Sequence, residues 1–543
     1  MHSHLPRNIE SLCPGCNSEA VALAIESGDS SVLKNAPGVV RAEILERDGT
    51  VVMRKACPKH GIFEDLLASD ANFFRRIEER AWATTPGDFS GDHGALSVRE
   101  GTGGFMVVDL TTRCNLKCAR CFMDANGIGH VHEPDFETIR LLLDRAKAAR
   151  PNADINILFS GGEPTLSPNL LPAISHANAL GFKRLYMATN GIKLAQEPDF
   201  AGACHAAGLH GILLQLDGAN NAAHAYLGAA NLFDVKTEAL SNAHNAGLQV
   251  TLQVTVANGV NNDQVGPTLD FAIKNIRRVF GVLFQPIMFA GRDHGVTDDD
   301  RLTRRYTLAD LAADLRMQTD GKLEPLRDWW PGSRFQFFAQ LGNFLRRNET
   351  ASIGHGDPGH FGTFAPLVVN TRTRQWVPLG RFFNLDSFER QILTEGPTTA
   401  PDLARAIQAA RNSFSAGEAP SGFTFEDFPS LLNQCIARVN TGWGDWERRG
   451  YEDGNFRLVI VQGLWFQDLF NFDVRINRTS PVVVATQEGE ISFAAYNGAG
   501  WRQVVEHKFQ TAGLAEWNRT RGRHTIYANH VMVPVSSLTA TSK

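Results

Sequence analysis

The chain has 543 residues, too many for one ordinary domain, with 43% hydrophobic and 20% charged residues, as in globular proteins. Its net charge of −5 argues against an electrostatic grip on nucleic acid or anionic lipid. No apolar run approaches a membrane span, and MHSHLPRNIESLCPG lacks the basic and apolar regions of a secretory signal. The expected compartment is the cytoplasm, where clustered cysteines read as metal ligands or catalysts.

Residues 1–70 read as a small metal-binding domain. Two knuckles, Cys13-x2-Cys16 in LCPGCN and Cys57-x2-His60 in ACPKHG, flank GVVRAEILERDGTVVMRKA, where alternating apolar residues around Asp-Gly predict a hairpin. Cys13, Cys16, Cys57 and His60 match a zinc-ribbon or rubredoxin-like tetrahedron holding structural zinc or mononuclear iron. His60 could also be a bystander with another residue as fourth ligand. Residues 71–104 read as a helical connector ending in REGTGGF.

From 105 to 295, strands and helices alternate. MVVDLTTRC, DINILFSGGEPTL, RLYMATNG, GILLQLDG, QVTLQVTVANG and GVLFQPIMFAG are strand-like. Between them run helices such as DFETIRLLLDRAKAAR, with Asp135 near its start, NLLPAISHANALGF, closed by Gly181, and FDVKTEALSNAHNAG, stopped by Gly247. Six β-α units predict an α/β fold with a parallel sheet, either a partial (βα)6 barrel or an open wound sheet. Either geometry puts the chemistry at the C-terminal strand ends. Residues 296–543 read as an α+β substrate or capping region. TLADLAADLRMQTDG is a helix there, SIGHGDPGHFG and SAGEAPSGF are loops, and the tail through SFAAYNGAGWRQVV mixes strand-like runs with turns. Lone Cys204 and Cys435 read as small buried hydrophobes.

The chemistry concentrates in RCNLKCARCF. Cys114, Cys118 and Cys121 supply three thiolates, enough for three irons of a cubane and leaving one iron open. A zinc or closed cluster site with a remote fourth ligand is the alternative reading. One β-α unit later, SGGEP closes the next strand. Gly161 and Gly162 let backbone approach a ligand closely, and Glu163, before Pro164, offers an acceptor for an ammonium group. Both motifs fall at the same end of neighbouring strands. Thr189 and Asn190, Gln215 and Asp217, and Gln253 lie on or at the ends of the following strands; T-N-G and L-D-G are also ordinary turn formers.

RCNLKCARC followed by FSGGEP resembles the radical S-adenosylmethionine (SAM) enzymes over roughly residues 105–290. The resemblance implies a [4Fe–4S] cluster on the three cysteines. Its open iron takes the amino and carboxylate groups of SAM, and reduction yields a 5′-deoxyadenosyl radical that abstracts hydrogen from an unactivated C–H bond. It further implies that the Gly161–Pro164 segment holds the methionine amino group, and that Thr189, Asn190, Gln215, Asp217 and Gln253 contact cofactor or substrate. A reductant such as flavodoxin or ferredoxin is expected. Many members carry an aromatic before the third cysteine; here it is Arg120, with Phe122 as a substitute for the adenine contact. The N-terminal knuckles, VANGVNNDQVG, VLFQPIMFAGR, LFNFDVRINR and ISFAAYNGAGWR are similar to the branch of tetraether lipid synthases and dihydropterin methylase-like proteins. Arg292 and Asn497 match positions of that branch. It also carries auxiliary-cluster cysteines in its C-terminal half, whereas this chain has only Cys435 after Cys204. No auxiliary cluster is therefore expected, and routes that depend on one do not carry over. The expected activity is radical SAM chemistry on a small-molecule or lipid substrate, through C–C bond formation or methylation. The alternatives are a peptide- or protein-modifying enzyme and a non-catalytic iron–sulfur electron-transfer protein.

Overall fold

A computed structural model of the chain describes residues 5–35, 38–82, 104–150, 155–182, 184–293, 295–334, 361–393, 403–428, 430–431, 455–480 and 482–535. Cys435, most of the loops REGTGGF and SIGHGDPGHFG, and the end of WWPGSRFQFF lie outside the described residues.

The N-terminal part is an antiparallel sheet of β1 (Arg7–Leu12), β2 (Val39–Arg47), β3 (Thr50–Cys57) and β4 (Gly61–Ala68), in that order. The expected hairpin joins β2 to β3 through Asp48 and Gly49, both at positive φ. Sequence reading missed the helix Pro14–Ser27, which starts inside the first knuckle. Its signals are Pro14 at the first turn, where a missing N–H costs nothing, and Gly28 in a left-handed cap.

The six expected strands are β5 (Phe105–Asp109), β7 (Asn156–Ser160), β8 (Arg184–Thr189), β9 (Gly211–Gln215), β10 (Gln249–Val256) and β11 (Val279–Pro286); a short β6 (His130–Val131) lies outside their sheet. They pair in parallel and in sequence order. Val108, Ile157, Phe159, Leu185, Met187, Ile212, Leu214 and Leu252 point outward into one core with Leu143, Ile174, Ala201, Ala239 and Leu269 of the five connecting helices. All those helices thus cover one face, which is the arrangement of a partial barrel rather than a doubly wound sheet. Cys204 is buried in that core, as a small hydrophobe.

The C-terminal chain adds β12 (Trp330–Pro331), β13 (Gly362–Asn370), β14 (Trp376–Pro378), β15 (Phe456–Leu464), β16 (Val482–Thr486), β17 (Gly489–Ser492) and a separate short β18 (Ala512–Gly513). β15 pairs in parallel with β11, and β16 in parallel with β5, so later chain closes both edges of the six-stranded core. SFAAYNGAGWRQVV is not turn and strand. It forms two helices, Phe493–Gly498 and Trp501–Lys508, hinged at Gly500, whose φ is 84°. Both pack on the inner sheet face with Val107 and Leu158, and with Ala20, Val21 and Ala24 of the N-terminal helix. Phe364, Phe382, Phe383, Phe388, Phe423 and Phe428 form a separate aromatic core, so these phenylalanines line no open cavity.

Candidate functional site

The cysteine loop leaves the C-terminal end of β5 and is held chiefly through its backbone. Asn126, at φ 63°, brackets Cys114: its Oδ1 accepts the Cys114 N–H at 3.1 Å and its Nδ2 donates to the Cys114 carbonyl at 2.7 Å. Arg292 grips the far half. Its Nε donates to Asp124 at 2.8 Å, its guanidinium donates to the carbonyls of Cys118 and Ala125, and its own N–H donates to the Cys121 carbonyl at 3.0 Å. At Gly291, with φ 59°, a Cβ would lie 2.3 Å from the Phe122 carbonyl oxygen, so only glycine permits this approach. The AGR segment is therefore the clamp of the cysteine loop.

SGGEP is stitched to the same loop. The Gly162 N–H donates to Thr111 at 2.7 Å and the Glu163 N–H to Arg113 at 2.8 Å. A Cβ on Gly161 or Gly162 would fall 2.5 or 2.2 Å from those carbonyl oxygens. The close approach that the glycines allow is thus to the cysteine loop itself.

Glu163 is 1% exposed, and its carboxylate accepts the Thr165 N–H at 3.2 Å, the Thr165 and Thr189 hydroxyls at 2.8 Å, and the Asn190 N–H at 2.8 Å. Three of these donors converge on Oε1 and one on Oε2, so Oε2 keeps an acceptor site beyond the Asn190 N–H. Burial pushes the carboxyl up, against those hydrogen bonds. Pro164 is buried and opens a short 3₁₀ turn. Asn190 turns its Nδ2 to Asn115 at 2.7 Å and lies 3.9 Å from the Cys114 sulfur. Cys114, Glu163, Thr189 and Asn190 therefore form one connected cluster.

Asp217 is fully buried beneath the loop. It accepts from Gln215 Nε2 at 2.9 Å and from the Thr255 N–H at 2.8 Å, and burial pushes its carboxyl up. Gln253 is not in this cluster: it donates to Gln285 at 2.7 Å. Gln215 and Gln253 are register partners, and Thr255 pairs with Gln285, so three half-buried amides line the middle of the inner sheet face.

Phe122 is exposed beside the cysteines, its ring 5.9 Å from Phe493, which lies 4.1 Å from Phe466. Arg120 is half-buried in the field of Arg304, Asp293 and Asp300, and burial lowers its pKa. Asn497 accepts from Arg502 Nε at 2.8 Å; Arg502 also pairs with Asp109 at the end of β5 and with Glu506.

Sequence reading missed Lys236. It is 0% exposed, donates to the Asn190 carbonyl at 3.2 Å, and burial lowers its ammonium to about 8 against the pull of Asp217, Cys118, Glu163 and Cys114. The signal was its place in the buried stripe Leu232, Val235, Lys236, Ala239, Leu240, Ala243, at helical spacing. Without a metal, burial and mutual repulsion push the Cys118 thiol up to about 12 and raise the Cys114 thiol well above its ordinary value. The Cys114 sulfur faces the Leu116 N–H at 3.4 Å and Asn190 Nδ2 at 3.9 Å, and Lys236 and Arg292 lie in the field of Cys118; these surroundings suit an iron–sulfur group, whose charge would keep the sulfurs as thiolates.

The second cysteine set also fits a metal. The four ligand atoms of Cys13, Cys16, Cys57 and His60 lie within 4.8 Å of one another. His60 Nδ1 is 3.5, 3.4 and 3.6 Å from the three sulfurs, and Cys16 lies 3.7 Å from Cys57. A tetrahedral ion at about 2.3 Å from sulfur and about 2.0 Å from nitrogen requires separations of about 3.5–3.8 Å. Glu19, unmarked in the sequence, lies 3.3 Å from His60 Nε2 and orients the ring. Among the described residues no helix is long and apolar enough to cross a membrane.

Residues 108–272 match the model of the radical SAM superfamily, and residues 5–69 that of the HMPTM N-terminal zinc ribbon domain. The chain is 28% identical to a 7,8-dihydro-6-hydroxymethylpterin dimethyltransferase of Methanocaldococcus jannaschii over 494 residues, covering 88% of this chain and 94% of that protein. It is 28% identical to an Fe-coproporphyrin III synthase of Methanosarcina barkeri over 195 residues, covering 36% of this chain and 47% of that protein. Among solved structures, the FeFe-hydrogenase maturase of Carboxydothermus hydrogenoformans aligns with a TM-score of 0.32 and 15% identity, over 40% of this chain and 52% of that one. The chain carries a radical SAM domain behind an N-terminal zinc ribbon, and it is an enzyme of radical SAM type.

Proposed function

We propose that the substrate is a small, polar, hydrogen-bonding ring of the reduced-pterin kind. One of its C–H bonds gives its hydrogen to the 5′-deoxyadenosyl radical, and the carbon radical left there forms a C–C bond with the methyl group of a second SAM as the reductant supplies one further electron, with methylation as the outcome. In this reading Cys114, Cys118 and Cys121 hold the [4Fe–4S] cluster, which supplies the electron for SAM cleavage when loaded. The Gly161–Pro164 segment, Thr189 and Asn190 shape the wall beside it, with Glu163 Oε1 bracing that wall and Oε2 keeping an acceptor site for the methionine amino group. Phe122 offers the aromatic face that Arg120 does not. Cys13, Cys16, Cys57 and His60 hold zinc, in a reducing compartment such as the cytoplasm.

The observation that carries the substrate class is the row Gln215, Gln253 and Gln285. Each amide has donors and an acceptor, so the row suits a ring whose edge alternates the two. Gln215 Nε2 is engaged by Asp217 and Gln253 Nε2 by Gln285 Oε1, so a lipid chain over the row would desolvate chiefly Gln215 Oε1, Gln253 Oε1 and Gln285 Nε2, at about 1–3 kcal/mol each. The Methanocaldococcus jannaschii relative, a 7,8-dihydro-6-hydroxymethylpterin dimethyltransferase, acts on a ring of this kind.

The test is anaerobic incubation of the reconstituted enzyme with reductant, SAM and 7,8-dihydro-6-hydroxymethylpterin. Formation of 5′-deoxyadenosine with a methylated pterin is expected. Nucleoside with unchanged pterin overturns the substrate class. No nucleoside from a fully loaded cluster overturns the catalytic reading.

A further inference from the structure

The segment after the helix Leu514–Thr520 runs as a strap across the outside of the cysteine loop. His524 Nε2 lies 2.9 Å from the Cys114 carbonyl oxygen, and the Tyr527 N–H donates to the Asn115 carbonyl at 2.8 Å. Leu116 forms a bridge with Tyr527, and Ala229 with Val531. Further on, Val533 exchanges two hydrogen bonds with the Asn231 side chain, at 2.8 and 3.0 Å. Neither the catalytic reading nor the ribbon uses this segment.

Its charge is lopsided. From Trp517, midway along that helix and just after Glu516, to Val535 the chain holds Arg519, Arg521 and Arg523 and no acidic residue, in a protein whose net charge is −5. All three arginines are exposed, as is Lys117 within the cysteine loop. Among the described residues none of the four enters an ion pair. Arg521 sits over the Trp517 ring at 5.2 Å, and Arg113 over the same ring at 5.0 Å. Ile526, Val531 and Met532 are 42%, 52% and 61% exposed on the same strap. Unpaired cations around a small apolar centre, one peptide from a cysteine of the loop, form a surface on which an acidic protein can settle briefly.

We propose that this strap face, Lys117 with Arg519, Arg521 and Arg523, is the docking surface for a small acidic one-electron carrier of the flavodoxin type. One electron passes from the reduced carrier to the oxidised cluster through this face. The proposal rests on the radical SAM reading. Redox encounters are small and charge-steered, so a patch of this size is sufficient.

The test compares two reductants on the cluster-loaded enzyme: a photoreduced flavodoxin and dithionite. The readout is optical bleaching of the cluster, which does not depend on turnover. Replacing the three arginines (R519E, R521E, R523E) should slow flavodoxin-driven reduction about tenfold or more at low salt and leave the dithionite rate within about twofold. The wild-type flavodoxin rate should fall as salt rises. The milder pair R521Q and R523Q, which retains the fold if the triple change does not, should lie between. An unchanged flavodoxin rate in either variant, or a salt-independent wild-type rate, overturns the proposal. If the cluster bleaches but no 5′-deoxyadenosine forms with either reductant, the catalytic reading fails and the docking result still stands.

Discussion

Glu163 accepts the hydroxyl of Thr189 at 2.8 Å and the N–H of Asn190 at 2.8 Å, so one buried carboxylate ties the end of β7 to the end of β8. Through Asn190 the tie reaches Asn115 and the Cys114 sulfur. The residue expected to offer an acceptor to the methionine amino group thus also braces the wall around it, chiefly through Oε1. Replacing it with glutamine keeps the shape but turns an NH2 toward at least one of four donors. Glu163→Gln should lose about 1–3 kcal/mol of stability and weaken SAM binding. Denaturant unfolding and equilibrium binding check it; a variant as stable as wild type refutes the four-donor arrangement.

Arg292 reaches Asp124 and the carbonyls of Cys118 and Ala125 at once, a task for a planar fork with five donors. Arg292→Lys cannot reproduce it. After reconstitution the variant should carry less iron and sulfide per chain while zinc stays constant. Equal loss of zinc would mean general misfolding rather than a slack cysteine loop.

The barrel and the site motifs were legible because they are local. Strand alternation, helix stops such as Gly181 and Gly247, and the cysteine and glycine spacings each lie within one β-α unit. What closes the fold is not local. β16 pairs with β5, and β15 with β11, although long stretches of other chain separate each pair. The helices of SFAAYNGAGWRQVV were misread because Gly498 and Gly500 resemble turn residues; Gly498 instead lies where a Cβ would meet the Gln467 carbonyl at 2.7 Å. The buried Lys236 and the exposed Glu19 carry no motif, and only the helical stripe marks Lys236.

Glu19 stands 3.3 Å from His60 Nε2 and leaves Nδ1 toward the three sulfurs. Glu19→Ala should lower metal affinity about 10–100-fold, read by competition with a chelator. The loss should spread inward. The N-terminal helix donates from Asn17 to the Ala499 carbonyl at 3.1 Å, beside the helix that carries Arg502. Metal removal should therefore speed hydrogen exchange in Trp501–Lys508, and unchanged protection there would count against this coupling.

Burial raises the Glu506 carboxyl from 4.5 to about 7, with Arg502 opposing. A carboxyl raised on folding holds its proton more tightly in the native state. Its contribution is therefore fully present below about 4.5 and is lost as pH rises to about 7. The difference in stability between wild type and Glu506→Gln should fall across that window by at most about 3 kcal/mol. Unfolding curves of both proteins at several pH values between those limits check it, and parallel pH profiles would refute it.

Lys236 is a buried ammonium whose one hydrogen-bond acceptor is the neutral carbonyl of Asn190. Such a charge is costly to bury unless negative charge compensates it. Asp217 exerts the largest opposing pull, followed by Cys118, Glu163 and Cys114, and the two sulfurs add negative charge there as thiolates of a loaded cluster. The ammonium is thus poised to balance thiolates and the cluster they hold. Removing it makes an added electron harder to accept. Lys236→Met should shift the cluster potential negative by on the order of tens of millivolts in a potentiometric titration. The apo variant, freed of a desolvated charge, should melt no lower than wild type. An unchanged potential with lowered apo stability would make Lys236 a brace for Asn190 rather than a counter-charge to the cluster.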